Sequence, residues 1–196
     1  MMTSIQSLCV FCGASQGNDP VFMEAGRALG RLMAAANVQL VFGAGGSGVM
    51  GAVSAGCLEA GGRAVGIIPQ HLVEVEAALP GLTELIVVPD MHTRKRMMFE
   101  RSDAFCVLPG GFGTMDETFE ILTWKQLSLH EKPVILCNVK EYWKPFVQFA
   151  ESMLSHSFIR QRNMELFTVV DGVEDVLAAA NRTVVAEAAP AASALF

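Results

Sequence analysis

An α/β fold is predicted, with a Rossmann-like, open, mainly parallel sheet and helices on both faces. Two features of the chain predict it. Short apolar, β-branched runs alternate with longer amphipathic ones, the pattern of βαβ units around a parallel sheet. Two glycine-rich loops, at 43–48 and 109–114, each follow a strand-like run and open a helix-like one. In such sheets, ligands bind beyond the carboxyl ends of the strands, where the strand order reverses. The composition agrees, since 196 residues that are 52% hydrophobic and 17% charged can build a large core.

Residues 8–13 read as the first strand. Asp19 followed by Pro20 gives an N-cap and a first-turn proline for a helix to about residue 36, with Ala28, Leu29, Leu32 and Met33 spaced for one buried face. Residues 39–42 form a second strand, and the loop 43–48 leads to a helix ending at Gly61 and Gly62. Strands follow at 64–68 and 85–88. Asp90 caps a helix over 91–102, and 104–108 is the next strand. A helix over 115–127, strands at 134–137 and 167–170, helical material around 143–154 and a helix over 173–180 complete the order. Residues 1–185 are expected to be a single nucleotide-binding domain and 186–196 a frayed alanine-rich tail.

Charge and cysteine usage exclude several functions. A net charge of −6 has the wrong sign for life on nucleic-acid backbones. No run approaches the roughly 18 apolar residues of a membrane-spanning helix, and the first seven residues lack a basic leader region, so a cytoplasmic location without membrane contact is expected. Low charge also hints at apolar surface covered in a homodimer. Five cysteines leave one over in any disulfide scheme, which favours reduced thiols. Cys9 and Cys12, three apart on a strand, point to opposite faces. The four histidines lack metal-ligand spacing, so neither a metal nor a cofactor is expected.

The chemistry concentrates in three segments. The loop 43–48 matches G-x-G-x-x-G, which lets backbone amides such as those of Gly45 and Gly46 approach a phosphate at a helix start. The acidic residue that would hold a dinucleotide ribose is replaced by Ile68, Pro69 and Gln70, so NAD is disfavoured, and tight helix packing is the alternative for these glycines. In the second loop, amides of Gly110, Gly111 and Gly113 and the Thr114 hydroxyl can converge on one phosphate. Thr114 and Glu117 also read as a capping box, Thr114 being the N-cap. Glu120 lies one turn on, either facing the crevice with Glu117 or paired on the surface. The third segment, Met91-His92-Thr93-Arg94-Lys95-Arg96, puts three cations at a helix start, against its macrodipole. A bound anion would offset that, and Arg94 has the spacing to face the crevice; a solvated basic face is the alternative.

Pro109-Gly110-Gly111-Phe112-Gly113-Thr114-Met115-Asp116-Glu117 resembles the P-G-G-x-G-T-x-x-E motif of the Lonely Guy family. Met91-His92-Thr93-Arg94-Lys95 is similar to that family's M-H-x-R-K motif. Cys12-Gly13-Ala14-Ser15 resembles its C-G-S-S loop, with Ala14 in place of the usual first serine and Ser15 retained. The segment from Gly45 to Gly51 resembles its second loop. The resemblance covers about residues 5–180. It implies a Rossmann-like homodimer that cleaves the N-glycosidic bond of cytokinin riboside 5′-monophosphates, with AMP as a further substrate, giving free base and ribose 5-phosphate. It further implies Arg94 and Glu117 as the catalytic pair. Gly13, Ser15, Gly45, Gly46, Met91, Lys95, Gly110, Gly111, Gly113, Thr114 and Glu120 are then the expected substrate-binding positions. The rival from another class is a carrier that binds a nucleotide or pterin cofactor without chemistry, for which Arg94 and Glu117 have no use. Relatives with this motif have been labelled lysine decarboxylases, but nothing in the sequence marks the lysine that pyridoxal phosphate would need.

Overall fold

The computed structural model describes residues 4–73 and 80–188. Its elements are β1 (Ser7–Phe11), α1 (Pro20–Ala35), β2 (Gln39–Phe42), α2 (Gly48–Glu59), β3 (Ala64–Pro69), β4 (Glu84–Val88), α3 (Met91–Glu100), β5 (Ala104–Val107), α4 (Phe112–Gln126), β6 (Val134–Cys137), α5 (Lys144–Ser155), β7 (Thr168–Val170) and α6 (Val176–Ala188). All strand pairings are parallel, in the order β4-β3-β2-β1-β5-β6-β7. The order reverses between β1 and β5. That reversal opens a crevice at their carboxyl ends, where the loops after β1 and β5 diverge to opposite sides.

Strand alternation divides the core into two layers. Leu8, Val10 and Cys12 face α1, α2 and α6, whereas Cys9 and Phe11 face α3, α4 and α5. Cys9 and Cys12 thus lie on opposite sides of the sheet, as their spacing requires. Both are free thiols, and burial pushes the Cys12 thiol well above its usual range.

Helix starts follow the capping rules in two cases. Asp19 Oδ1 accepts from Val21 N at 3.0 Å ahead of Pro20, and Asp90 Oδ1 accepts from Thr93 N at 2.7 Å. The α4 start differs from the sequence expectation. Gly111 is its N-cap, so Thr114 lies inside the first turn and the expected Thr114–Glu117 capping box does not form. Glycine at 111 and 113 lets the helix begin three residues earlier, and Thr114 is buried, with Thr118 Oγ1 donating to its carbonyl at 2.6 Å.

Two further corrections concern α1 and α6. Leu32 is 36% exposed, and the buried stripe of α1 is Phe22, Gly26, Leu29, Gly30 and Met33. The cause is close packing against α2, where glycines rather than leucines set the contact. A Cβ on Gly30 would fall on Val53 O and 2.6 Å from Cys57 N, and one on Gly56 would fall on Arg27 O. Helix α6 runs on to Ala188, so positions 186–188 of the expected tail are helical. The rest of that tail, 189–196, lies outside the described residues.

Gly30→Ala should therefore destabilise the fold by about 2 kcal/mol or more, because neither backbone can yield without separating the helices. Chemical denaturation checks this; an unchanged midpoint would show that α1 and α2 are not in contact through glycine.

Candidate active site

A cavity of about 680 Å³ occupies the crevice. Three segments form most of its wall: the loop after β1, the loop after β5 with the first turns of α4, and the start of α3. Gly13 joins the first two. Its N–H donates to Pro109 O at 3.0 Å, and its carbonyl accepts from Met50 N at 3.1 Å.

This stitching makes the two glycine loops unlike each other. Val49 N and Met50 N, in the first turn of α2, donate to Ser15 O and Gly13 O. Two of the donors that a helix start offers to an anion are thereby satisfied by protein. Gly48, at φ +59°, abuts the Ala14 carbonyl, and Gly45 is buried with its N–H on Met50 Sδ at 3.2 Å. Gly45 and Gly46 do not line the cavity. The G-x-G-x-x-G match here makes close packing, because β2 lies one strand away from the reversal. At α4 the reverse holds. No side chain caps Gly111, and among the described residues no protein acceptor meets the N–H groups of Gly111, Phe112, Gly113 or Thr114. Gly110, Gly111, Gly113 and Thr114 all line the cavity.

Arg94, Lys95 and Met91 come from α3. Arg94 is buried, and its Nη2 donates to Gly43 O at 3.2 Å while Nη1 lies 3.7 Å from Met91 Sδ. A Cβ on Gly43 would fall on Nη2, so the absent side chain at Gly43 makes the slot for the guanidinium. Arg94 Nε is buried without a partner, a cost that a structural arginine does not normally carry. Lys95 also reaches the wall, but its ammonium bonds Asp116 at 3.0 Å and Glu120 at 3.2 Å. Burial works to lower the Lys95 pKa and is outweighed by these two carboxylates, so the group is held above its ordinary value. Glu120 is thus an ion-pair partner of Lys95 and does not line the cavity.

Glu117 projects from α4 into the same space, half-buried. Desolvation pushes its pKa up to about 7, with Arg94 opposing and Asp116 adding to the rise. The crevice therefore holds a carboxylate poised near neutrality beside a permanent cation. Gly13 and Ser15 line it from the first loop. Tyr142, Phe22, Asp116 and Leu72 also line it, none of them a position that the sequence marks for substrate. Tyr142 is the chain's one tyrosine and has no motif spacing; its only signal was its place just beyond the strand at 134–137.

Comparison with known proteins places this geometry. A family model described as possible lysine decarboxylase matches residues 50–180. The chain is 41% identical over 175 residues to a cytokinin riboside 5′-monophosphate phosphoribohydrolase of Rhodococcoides fascians, covering 89% of this chain and 88% of that protein. It is 39% identical over 164 residues to another of Arabidopsis thaliana, covering 84% and 76%. Among solved structures, the molybdenum cofactor carrier protein of Chlamydomonas reinhardtii matches with a TM-score of 0.69 at 21% identity, over 90% of this chain and 96% of that one. That likeness is one of fold. Decarboxylation of lysine through pyridoxal phosphate would need a lysine amine that deprotonates readily. Lys95, the one lysine on the cavity wall among the described residues, is instead held protonated by two carboxylates. The residues do not fit that cofactor.

The raised Glu117 pKa carries a stability consequence. Below its ordinary value of 4.5 the carboxyl is protonated in both folded and unfolded chains. As pH rises from there through about 7, only the unfolded chain ionises freely, so stability falls. Glu117→Gln should remove a penalty of roughly 2–3 kcal/mol at pH 8 and change little at pH 4. Thermal melts of both proteins across that range check the sign; a variant less stable at pH 8 would contradict it.

Proposed function

The chain belongs to the Lonely Guy family, and from that premise we propose that it hydrolyses the N-glycosidic bond of cytokinin riboside 5′-monophosphates and of AMP, releasing free base and ribose 5-phosphate. One observation carries the reading. Glu117, raised toward neutrality, shares the cavity with Arg94 and with the unpaired amides at the start of α4. A cavity of about 680 Å³ is of the size that encloses a small ligand.

The 5′-phosphate is assigned to the N–H groups of Gly111, Phe112, Gly113 and Thr114, where the helix dipole adds a favourable partial charge. Held there, it is a handle whose binding energy positions the ribose over Glu117. Cleavage passes through an oxocarbenium-like sugar, and a fixed carboxylate in a desolvated wall stabilises that positive charge strongly. The C1′–N bond breaks with its electron pair going to the base. A water oxygen, oriented by Glu117, bonds to C1′, and one of that water's protons balances the base. Arg94, whose guanidinium has only donors, donates hydrogen bonds to the substrate or to the departing base. A carrier would have no use for this pair. Gly13, Ser15, Met91 and Lys95 complete the proposed substrate wall.

We also propose a homodimer. Phe112 is 96% exposed and Phe119, two turns on along α4, is 37% exposed, giving an aromatic stripe for a second copy to cover. A mass in solution of twice 21.0 kDa by light scattering is expected; a monomer at all concentrations would refute it.

Chromatographic release of free base from isopentenyladenosine monophosphate, AMP, adenosine and ATP tests the reaction. Base should appear only from the monophosphates. Glu117→Gln should lower turnover by about two orders of magnitude or more. Arg94→Ala should raise KM or lower kcat. Because the ionised carboxylate acts, kcat/KM should rise with pH and level off above about 7. Equal activity of the Gln variant would sink the assignment.

A further inference from the structure

Tyr142 stands at the edge of the cavity on a turn that the reaction leaves unexplained. It follows Lys140 and Glu141, two successive non-glycine residues at φ +53° and +58°, in the left-handed region that side chains disfavour. Such conformations persist only where the surroundings hold them, and they gather at functional sites. Here the hold is dense. Lys140 pairs with Asp19, Glu141 N donates to Asn138 O at 3.0 Å, and Asn138 Oδ1 accepts from Trp143 N at 2.8 Å. Trp143 Nε1 reaches Val107 O, at the end of β5, at 3.2 Å.

The turn delivers the Tyr142 hydroxyl to Gly110 O, to which it donates at 2.6 Å. The ring is wedged edge-on against Phe22 and Trp143, which fixes its direction. Its proton being taken by Gly110, the phenol oxygen has only lone pairs to offer a ligand, and a phosphate dianion has only acceptors. Tyr142 is therefore ill-suited to hold phosphate directly. Gly110 O and the Gly111 N–H belong to one planar trans peptide unit, so a bond that fixes the carbonyl also fixes the amide. Gly110 is pinned on its other sides too, since a Cβ there would fall on Thr114 Oγ1 and 2.7 Å from Gly13 N.

We propose that Tyr142 is a positioning residue, holding the Gly110–Gly111 peptide so that the α4 amides are preset for the 5′-phosphate of a ribosyl ligand. This rests on the assignment of phosphate to those amides made above. The strained turn at Lys140 and Glu141 exists to bring the hydroxyl to that carbonyl.

Tyr142→Phe removes the hydroxyl and keeps the ring against Phe22 and Trp143. The measurement is calorimetric affinity for ribose 5-phosphate, with affinity for free adenine as the phosphate-free control and a thermal melt on each protein. The variant should bind ribose 5-phosphate roughly 3–10-fold more weakly, the effect of one hydrogen bond. Its melting temperature should stay within a few degrees, and the pH midpoint of kcat/KM, set by Glu117, should not move. Unchanged affinity in the variant, with the wild type binding normally, overturns the role of Tyr142 alone. Weakened binding accompanied by a lower melting temperature and an equal loss of adenine affinity would reduce Tyr142 to a packing residue and also overturn it. A wild type that binds no ribose 5-phosphate overturns the phosphate assignment beneath it, and this proposal with it.

Discussion

Gly13 is the knot on which the crevice depends. Its N–H holds the loop after β5 through Pro109 O, and its carbonyl takes the Met50 amide of α2. One residue in the loop after β1 thus sets the spacing of both walls at the point where strand order reverses. It can do so because it has no side chain: a Cβ would meet Gly110 Cα and Ser15 O at 3.3 Å. The consequence is asymmetric. Two first-turn amides of α2 are consumed by the fold, while among the described residues those of α4 meet no protein acceptor.

The same close approach recurs wherever the site needs room. Gly43 leaves the slot that Arg94 fills, and the guanidinium then lies buried with Nε unpaired. Burial in that wall is also what raises Glu117 toward neutrality, at the expense of folding stability above its ordinary pKa. Lys95 clamps α3 to α4 through Asp116 and Glu120. The clamp keeps the helix that carries Arg94 in register with the one that carries Glu117.

Much of this was legible in the sequence, for physical reasons that differ from element to element. The strands were visible because buried parallel strands are continuous apolar runs. The helix of Arg94 was visible because Asp90 marks its start and three cations crowd its first turns, and Glu117 stood out by its spacing from the second glycine loop. The first glycine loop misled. Gly45 and Gly46 match a phosphate-binding pattern, yet nothing local reveals that carbonyls from 13 and 15 already occupy the α2 start. Thr114 misled in the same way, since a helix that begins at Phe112 under a glycine cap carries no polar cap residue. Glu120 could not be separated from Glu117 by periodicity, because the choice lay with Lys95 on another helix. Tyr142 reaches Gly110 across 32 residues, a contact no local pattern encodes.

A crystal structure with ribose 5-phosphate bound tests the asymmetry of the two helix starts most directly. Phosphate oxygens should lie about 3 Å from the N–H groups of Gly111 to Thr114, with the ribose turned toward Glu117 and no anion at Gly45–Ser47. Phosphate seated on the α2 loop, or a ribose turned away from Glu117, would contradict it.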